Sequence, residues 1–346
     1  MNIKDIAAAA GVAVSTVSRV INNHPDVNEA TRKKVLEIIE DLNYVPNNSA
    51  RNLKRIVSNN IGIFVKGIYN PYFAKMIQEI GQGINSIGYS IITHYNPDDA
   101  NDSAAIIEFI KEKRLRALVC LGGEFEDLTD DLLKEVEVPI LFISSIVSSS
   151  IDESLYSSFA IDNISAAYEA VNYLCRLGHS KIGIITSGSN DNRIGGLRFR
   201  GYLKALEVNE ITYHPDYLEY GLYTFEEAYR AMNKLLDKKL ELTAIFAISD
   251  IMAIGAAKAI LDRGLRIPED ISVMGFDDID YSAYFHPSIT TVNQMEGEII
   301  HRSVILLKDL INKEGNHQHV RIPTKIIDRQ SCRQIRRFKK SEDLLF

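Results

Sequence analysis

Residues 3–22 read IKDIAAAAGVAVSTVSRVIN, and this stretch decides what the first domain is. It predicts a short helix over Ile3–Ala10 that is capped by Asn2, a turn at Gly11, and a second helix over Ser15–Asn22. Two short helices joined by a tight glycine turn are typical of a helix-turn-helix.

The side chains of this stretch predict how the two helices pack and what they contact. The small side chains of Ala7–Ala10 let the helices approach closely, and larger apolar side chains form a shared core. The predicted core residues are Ile6, Val12, Val17 and Val20. The opposite face carries Ser15, Thr16, Ser18, Arg19 and Asn22. Because hydroxyl, guanidinium and amide groups suit base edges and phosphates, this face is predicted to contact DNA. A solvated helix face or a small protein-binding bundle is the alternative.

The distribution of charge fits a DNA-binding head. The whole chain has a net charge of −7, but residues 1–60 carry eight basic and six acidic side chains, a net charge of +2. The basic side chains cluster at 32–34 and 51–55. A basic head on an acidic body is expected when only one domain contacts phosphates.

From residue 61 onward, apolar runs rich in β-formers alternate with helical segments, which predicts parallel sheets with helices on both faces. The predicted strands are Ile61–Val65, Ser90–His94, Ala117–Leu121, Ile140–Ser144, Lys181–Thr186, Ala244–Ile248 and Ile271–Gly275. The predicted helices are Pro71–Ile87, Ala166–Leu177, Leu197–Leu206, Phe225–Leu236, Ile251–Arg263 and Met295–Ile311. The number of elements indicates two α/β lobes.

The chain is therefore divided into four parts. Residues 1–46 form the helix-turn-helix domain, 47–60 a hinge and linker, and 61–335 a two-lobed domain for effector binding and dimerisation. The polar tail 336–346 is predicted to be disordered.

Composition excludes several other classes of protein. No run approaches the roughly 18 apolar residues of a membrane helix, and the N-terminus lacks the pattern of a signal peptide. A cytoplasmic, nucleoid-associated protein is expected. Cys120, Cys175 and Cys332 are odd in number and widely spaced, so neither a disulfide framework nor a metal site is predicted. No cofactor is expected.

Two blocks together, DIAAAAGVAVSTVSRVIN at 5–22 and TRKKVLEIIEDLNYVPNNSARNL at 31–53, resemble the lactose-repressor (LacI/GalR) family. The resemblance extends over almost the entire chain. It implies a third helix at Glu29–Leu42 in the head, a hinge helix, and a two-lobed effector domain like that of periplasmic binding proteins. The implied function is transcription regulation, as a repressor whose affinity for operator DNA is controlled allosterically by a small molecule.

The resemblance also implies how DNA is bound. The second helix enters the major groove, and a hinge helix forms at 47–53 when two subunits bind the operator together. From the hinge, it places Asn47, Ala50 and Leu53 at the DNA, with Leu53 as a wedge that opens a base step in the minor groove. An apolar linker residue is the alternative for Leu53. A homodimer on a pseudo-palindromic operator is expected, because one short helix reads few base pairs, and a tetramer remains open.

The effector site is predicted at the carboxyl ends of the strands, where ligands collect in parallel sheets. The candidate residues are Asn70, Tyr72, Phe73, Ser144, Arg198, Tyr223, Ser249 and Asp277. Arginine, carboxylate and hydroxyl groups beside aromatic faces suit a polyhydroxylated ring, so a sugar is the first expectation. The family resemblance, through GGLRFRGY at 195–202 and GFDD at 275–278, implies that Arg198 and Asp277 contact the effector. It also gives Phe73 and Tyr223 stacking positions.

Structural roles compete with these assignments. Ser249 can cap the helix that follows it. Arg198 can form an ordinary surface ion pair, and the acidic residues at 277–280 can form a solvated turn. Many sugar-responsive relatives have asparagine at the position of Ser249 and aspartate at that of Ser144, so a purine or a partner protein remains an alternative effector.

Two other protein classes are less consistent with the sequence. A nucleotide-cofactor enzyme lacks its motif here, because KGIYNPYF follows the first strand in place of GxGxxG. An extracytoplasmic sugar-binding protein shares the two lobes but does not need the basic head. The expected mechanism is a population shift, in which the effector changes lobe closure and thereby the hinge helices.

Overall fold

The computed structural model describes residues 3–21, 24–42, 58–67, 70–97, 100–188 and 193–335. The chain divides into two compact units, Met1–Ser58 and Asn59–Phe346. Residues 43–57 and the tail from 336 onward lie outside the described residues, and with them the expectations for the tail and for the hinge and linker up to residue 57. The predicted linker extends to residue 60, whereas β1 already begins at Asn60.

The first unit contains helices α1 (Ile3–Ala10), α2 (Val14–Ile21) and α3 (Glu29–Asp41). Its core contains Ile6, Val17 and Val20 as predicted from the helical spacing, together with Val35 from α3. Gly11 has a φ of +65° and forms the predicted turn between α1 and α2. Within the alanine run, Ala7 and Ala10 are buried, whereas Ala8 and Ala9 are exposed, because only the first pair lies on the inner side of α1.

The second unit is a two-lobed α/β structure. Its strands are β1 (Asn60–Lys66), β2 (Ser90–Asn96), β3 (Ala117–Leu121), β4 (Glu124–Phe125), β5 (Ile140–Ile143), β6 (Ile146–Val147), β7 (Ser157–Ala160), β8 (Ile182–Thr186), β9 (Leu218–Tyr220), β10 (Ala244–Ala247), β11 (Ser272–Met274), β12 (Thr291–Asn293), β13 (His319–Arg321) and β14 (Lys325–Ile327). Its helices are α4 (Pro71–Ser86), α5 (Asp102–Lys113), α6 (Asp130–Val136), α7 (Asn163–Arg176), α8 (Ile194–Val208), α9 (Phe225–Asp237), α10 (Asp250–Asp262), α11 (Asp280–Tyr284) and α12 (Glu296–Asn312), with short 3-10 turns at Glu153–Leu155 and Pro215–Tyr217.

Each lobe is built on a parallel sheet, as predicted. The first lobe has the strand order β13-β7-β5-β3-β1-β2, and the second has β11-β10-β8-β9. Strand β1 is buried on both faces: Ile61, Ile63 and Val65 belong to one apolar cluster and Phe64 to another. Such burial is what makes strands of a parallel sheet read as continuous apolar runs.

The chain crosses between the lobes at 161–162, 294–295 and 322–324, between β7 and α7, β12 and α12, and β13 and β14. Strand β13 joins β7 in the first sheet, and β14 pairs antiparallel with β12. The carboxyl ends of six strands lead into the loops and helix starts that carry the candidate effector residues, namely β1, β5, β8, β9, β10 and β11.

The predicted strand Ile140–Ser144 is one residue too long. β5 ends at Ile143, and Ser144 takes a φ of +52°, which turns the chain out of the sheet.

Gly201 lets α7 and α8 pack closely. A Cβ at this position would lie 2.4 Å from the Ile164 carbonyl oxygen and 2.7 Å from the Ala167 Cβ, both on α7. We therefore expect Gly201→Ala to lower the free energy of unfolding by about 1–3 kcal/mol, as measured by urea denaturation, because backbone must move. The matched control is Gly297→Ala in α12, where a Cβ meets nothing within 4 Å. That variant should be as stable as the parent or slightly more so. Equal stabilities for the two variants would contradict the close packing.

Candidate functional site

The polar face of α2 is exposed on the first unit. Ser15 and Arg19 are exposed, and Thr16 and Ser18 are half-buried, while Val17 and Val20 face the core. The side chains of this face therefore point away from the apolar cluster of the head. Asn22, Asn47, Ala50 and Leu53, the other candidate DNA contacts, lie outside the described residues.

Arg19 is oriented by an acidic neighbour. Its Nη1 lies 3.2 Å from Asp26 Oδ2, and the other carboxylate oxygen of Asp26 contacts His24 Nδ1 at 2.6 Å. The Arg19 side chain is 58% exposed, so the guanidinium remains available to a further anionic group. An exposed ion pair of this kind contributes little to stability, so Arg19 can exchange Asp26 for another anionic partner at a small cost in free energy.

In the first lobe, two aromatic residues lie in the first turn of α4, directly after Pro71. Asn70 caps this helix, because its Oδ1 accepts a hydrogen bond of 3.1 Å from the Tyr72 backbone N–H. Tyr72 and Phe73 are both buried, with their ring centroids 5.4 Å apart. Gly122, just after β3, lies against the Phe73 ring, since a Cβ there would come 3.0 Å from it.

The hydroxyl of Tyr72 is buried without a hydrogen-bond partner. Burial raises its pKa strongly, and the nearby charges of Asp277 and Glu296 raise it further, so the group is a neutral O–H donor. Ser144 lies close enough to lower the pKa slightly, although its contact with Tyr72 lacks hydrogen-bond geometry. The charges of Asp277 and Arg198 both act on the Tyr72 hydroxyl, so Tyr72 of the first lobe lies near these two residues of the second lobe.

In the second lobe, Arg198 on α8 is held from several sides. Its Nε donates to Asn163 Oδ1 at 2.9 Å, and its Nη1 donates to the Ile248 carbonyl at 2.5 Å. Nη1 also lies 3.4 Å from Asp277 Oδ1. The guanidinium carbon stands 3.6 Å from the centroid of the Phe276 ring. Arg198 is only 5% exposed, so it is a buried, preorganised cation and the surface ion pair is excluded.

Asp277 is the buried anion of this site. Its φ of +117° is rare for a residue with a side chain, and strain of this kind persists where surrounding contacts enforce it. Burial raises the pKa of its carboxyl to about 6, although Arg198 and Gln294 both favour the charged form. Gln294 Nε2 donates to Asp277 Oδ1 at 2.7 Å. The solvated turn considered for this residue is therefore excluded.

Asp278 has a structural role. Its Oδ2 accepts from Asn293 Nδ2 at 2.7 Å, and its Oδ1 accepts from Arg329 Nη2 at 2.5 Å. These bonds tie the turn after β11 to β12 and to the segment that follows β14.

A second buried carboxylate, Asp250, lies under the site. It is fully buried, its Oδ1 accepts from Thr291 Oγ1 at 2.6 Å, and its Oδ2 accepts from the Ile279 N–H at 3.0 Å. Burial, reinforced by the charge of Asp277, raises its pKa to about 7. Gly275 makes room for it, because a Cβ there would come 2.1 Å from Asp250 Oδ1.

Ser249 and Tyr223 complete the predicted set. Ser249 caps α10, since its Oγ accepts from the Met252 N–H at 3.3 Å, and it is 2% exposed. The capping role weighed from the sequence is thus the one observed. Tyr223 is half-buried in the loop before α9 and, like Leu222, adopts a left-handed φ. This loop is strained at two bulky residues in succession, as is common at binding sites.

The structure therefore brings Arg198 and Asp277 into contact, and it places Tyr72 close enough to both for their charges to act on its hydroxyl, with Ser144 beside Tyr72. Asn70 and Ser249 serve as helix caps at its edge. A pocket of about 590 Å³ lies elsewhere, lined by residues of α5 and α6 such as Ser103, Glu108 and Leu132. None of the candidate effector residues lines this pocket, so its size does not support placing the candidate effector site there.

Three features of this site were not predicted from the sequence: the contacts of Asn163 and of Gln294, and the complete burial of Asp250.

Among the described residues, no group of three or more His, Cys, Asp and Glu side chains is arranged to hold a metal ion. In the same part of the chain, no helix combines the length and apolar character needed to cross a lipid bilayer.

Known families match both units. The model of bacterial regulatory proteins of the lacI family matches residues 2–47, and that of the periplasmic binding protein-like domain matches residues 171–332. The HTH-type transcriptional regulator MalR of Clostridium butyricum is 47% identical over 334 residues, which cover 96% of this chain and 99% of the relative. This chain belongs to the lacI family.

Solved structures agree with this membership. The lac repressor dimer bound to operator and the anti-inducer ONPF aligns with a TM-score of 0.74 at 25% identity, and the complex of the transcriptional regulator CelR with cellobiose with a TM-score of 0.67 at 27% identity. Each alignment covers 96% of this lacI-family chain and 99% of the other. The protein is a DNA-binding transcriptional regulator and not an enzyme.

Proposed function

We propose that this lacI-family regulator represses transcription from a pseudo-palindromic operator as a homodimer, and that a sugar bound between its lobes controls the affinity for DNA. The main support for effector binding is the buried pair Arg198 and Asp277 near the Tyr72 hydroxyl, which has no hydrogen-bond partner. A regulator of this kind acts on the chromosome, so we place it in the cytoplasm, associated with the nucleoid.

The chemistry of the site favours a polyhydroxylated ligand. Arg198 and the Tyr72 hydroxyl offer hydrogen-bond donors, and Asp277 offers acceptors within one buried cluster. Each sugar hydroxyl both donates and accepts, so one ring satisfies groups of both kinds. Phe73 and Tyr223 supply apolar ring surface for the carbon face of a sugar. The cellobiose complex of a relative 27% identical supports the choice of a sugar.

We assign all eight candidate residues to the effector site, with unequal roles. Arg198, Asp277 and Tyr72 bind polar groups, and Phe73 and Tyr223 stack. Ser144 lies within reach of Tyr72, whereas Asn70 and Ser249 hold the starts of α4 and α10 in place.

The DNA-binding half rests on the exposed face of α2. We assign Ser15, Thr16, Ser18, Arg19 and Asn22 to the major groove, and Asn47, Ala50 and Leu53 of the hinge to the minor groove. The relative crystallised as a dimer on its operator supports two heads on two half-sites.

Effector binding and DNA binding are coupled by a shift between arrangements of the lobes. Three chain segments join the lobes, and the cross-lobe ion pair between Glu124 Oε2 and Arg193 Nε, 3.1 Å apart, adds a contact outside these segments. A ligand that contacts both lobes stabilises one closure angle over others, and the DNA affinity changes by the same differential free energy.

A thermal-shift panel of glucose, maltose, cellobiose and hypoxanthine tests the effector assignment. We expect a sugar to raise the melting temperature of the parent protein in a dose-dependent way. A shift with hypoxanthine alone would overturn the sugar in favour of a purine, and no shift with any probe would overturn small-molecule control by these classes.

Arg19→Met is expected to weaken operator binding by at least tenfold while effector binding stays unchanged. The variant removes a guanidinium from the exposed face of α2 but keeps the length of the side chain. If Arg19 contacts a phosphate, the slope of log K against log salt falls by about 0.9; if it contacts a base, discrimination against random DNA falls instead. Fluorescence anisotropy on operator and random duplexes measures both. Arg263→Met, an exposed arginine of the second lobe, is the control. Parent-like affinity and specificity for Arg19→Met would remove it from the interface.

A further inference from the structure

Gln294 is a buried polar side chain with one half of its amide unused. It is 2% exposed, its Nε2 donates to Asp277 Oδ1 at 2.7 Å, and its Oε1 has no hydrogen-bond partner. Buried acceptors without a donor are rare in folded proteins, and each one calls for a physical explanation.

The orientation of this amide follows from its partner. A carboxylate oxygen accepts hydrogen bonds, so the atom of Gln294 that faces Asp277 must be the NH₂ group. The carbonyl oxygen is consequently the free atom. It belongs to the same cluster as the unpartnered Tyr72 hydroxyl, since both residues interact with Asp277. The surroundings of this buried carboxylate thus include one unused donor and one unused acceptor.

Gln294 also occupies a special place in the chain. It lies between Asn293, the last residue of β12, and Met295, which precedes α12. Asn293 Oδ1 accepts from the Met295 N–H at 2.6 Å, and Met295 has a left-handed φ of +55°. At the start of α12, Glu296 Oε1 accepts from Lys75 Nζ of the first lobe at 2.7 Å. The side chain therefore projects from a segment that joins the two lobes.

We propose that Gln294 is a specificity-determining residue for the effector, whose Oε1 accepts a hydrogen bond from one hydroxyl group of the bound sugar. Its Nε2 meanwhile holds Asp277 for the same ligand. This inference rests on the proposed function, because it needs a hydroxylated ligand between the lobes. A bound sugar then contacts a segment that joins the two lobes, because Gln294 lies in that segment. The residue that binds the hydroxyl group is therefore also placed to affect how the lobes are arranged.

The test pairs a protein variant with altered ligands. Gln294→Met keeps the side-chain length but removes the acceptor, and Gln294→Asn keeps the amide but withdraws it by one carbon, as a second variant in case the first folds poorly. The ligands are the tightest-binding sugar among glucose, maltose and cellobiose and its monodeoxyfluoro analogues, in which fluorine replaces one hydroxyl and cannot donate. Gln318→Met, an exposed glutamine of the first lobe, is the matched control. Isothermal titration calorimetry measures all affinities.

We expect one analogue to bind the parent and Gln318→Met about five- to tenfold more weakly than the natural sugar, the loss typical of one hydrogen bond. The same analogue and the natural sugar should bind Gln294→Met and Gln294→Asn with affinities within twofold of each other. If every analogue loses as much affinity in the Gln294 variants as in the parent, the residue positions Asp277 only and the assignment is overturned. If none of the three sugars binds the parent, the proposed sugar function is overturned as well.

Discussion

Arg198→Met is expected to abolish the thermal shift with effector and to lower the free energy of unfolding by about 3–5 kcal/mol near pH 8. The variant removes the donor to Asn163 and Ile248 and leaves the Asp277 carboxylate buried beside no cation. Removing one partner of a buried pair costs more than the pair contributes, because the remaining charge is uncompensated.

The pH dependence of that loss follows from Asp277. Without Arg198, the Asp277 carboxyl takes up a proton more readily, and the neutral form is less costly to bury than the charged form. The destabilisation caused by Arg198→Met should therefore be smaller at pH 5 than at pH 8. The double variant Arg198→Met with Asp277→Asn should regain part of the stability but none of the effector response.

Urea denaturation and thermal-shift titration measure the two effects separately. The control is Arg230→Met on α9, whose guanidinium is exposed and pairs with Glu226 and Glu227 on its own helix. That variant should keep parent-like stability and effector response. An Arg198→Met protein that still shows the parent's thermal shift would remove this arginine from the effector site.

Asp250→Asn is expected to make the protein progressively more stable, relative to the parent, as the pH rises from about 4 to about 7. The pKa of Asp250 is raised to about 7 in the folded protein from an ordinary value of 3.8. Between these values the folded state binds the proton more tightly than the unfolded state, so this carboxyl reduces stability as pH rises. Each unit of pKa difference corresponds to about 1.4 kcal/mol, so the whole window amounts to about 4 kcal/mol.

The substitution is compatible with the surrounding hydrogen bonds. The new amide oxygen can accept from the Ile279 N–H, and the amide NH₂ can donate to Thr291 Oγ1 once that hydroxyl turns. The difference between variant and parent isolates this group from carboxylates whose pKa is lowered, such as Asp127 and Asp162.

Urea denaturation at intervals from pH 4 to pH 8.5 measures that difference. Asp280→Asn, an exposed aspartate in the same region of the second lobe, is the control and should follow the parent curve. A constant difference between Asp250→Asn and the parent across this range would show that the buried carboxyl does not titrate there.

Prediction from sequence succeeded where structure depends on near neighbours. The core positions Ile6, Val17 and Val20 of the head follow from helical spacing, and the turn follows from the freedom of Gly11 to take a positive φ. The apolar strands around Ile61 and Ala117 were recognisable because parallel strands are buried on both faces.

Prediction was incomplete where an element owes its existence to distant partners. Strand β7 reads SSFA, too short and polar to stand out, and it forms because β5 and β13 flank it. Strand β13 pairs with β7 across a long stretch of chain, which no local pattern reveals. Asn163 and Gln294 were overlooked for the same reason, since only the packing of α7 and the second crossover places them beside Arg198 and Asp277.

The amino-acid sequence by itself determined the helix-turn-helix head, the two parallel α/β lobes and the residue types of the candidate effector site. These features depend on the spacing of residues close together in the sequence and on the chemistry of their side chains, and both can be read directly from the sequence. The tertiary structure alone decided that Arg198 is buried on Phe276, that Asp250 and Asp277 hold their protons more tightly than usual, and that Gln294 and Tyr72 keep unused hydrogen-bonding atoms. Burial and electrostatic coupling arise between residues far apart in sequence, so they exist only once both lobes are folded.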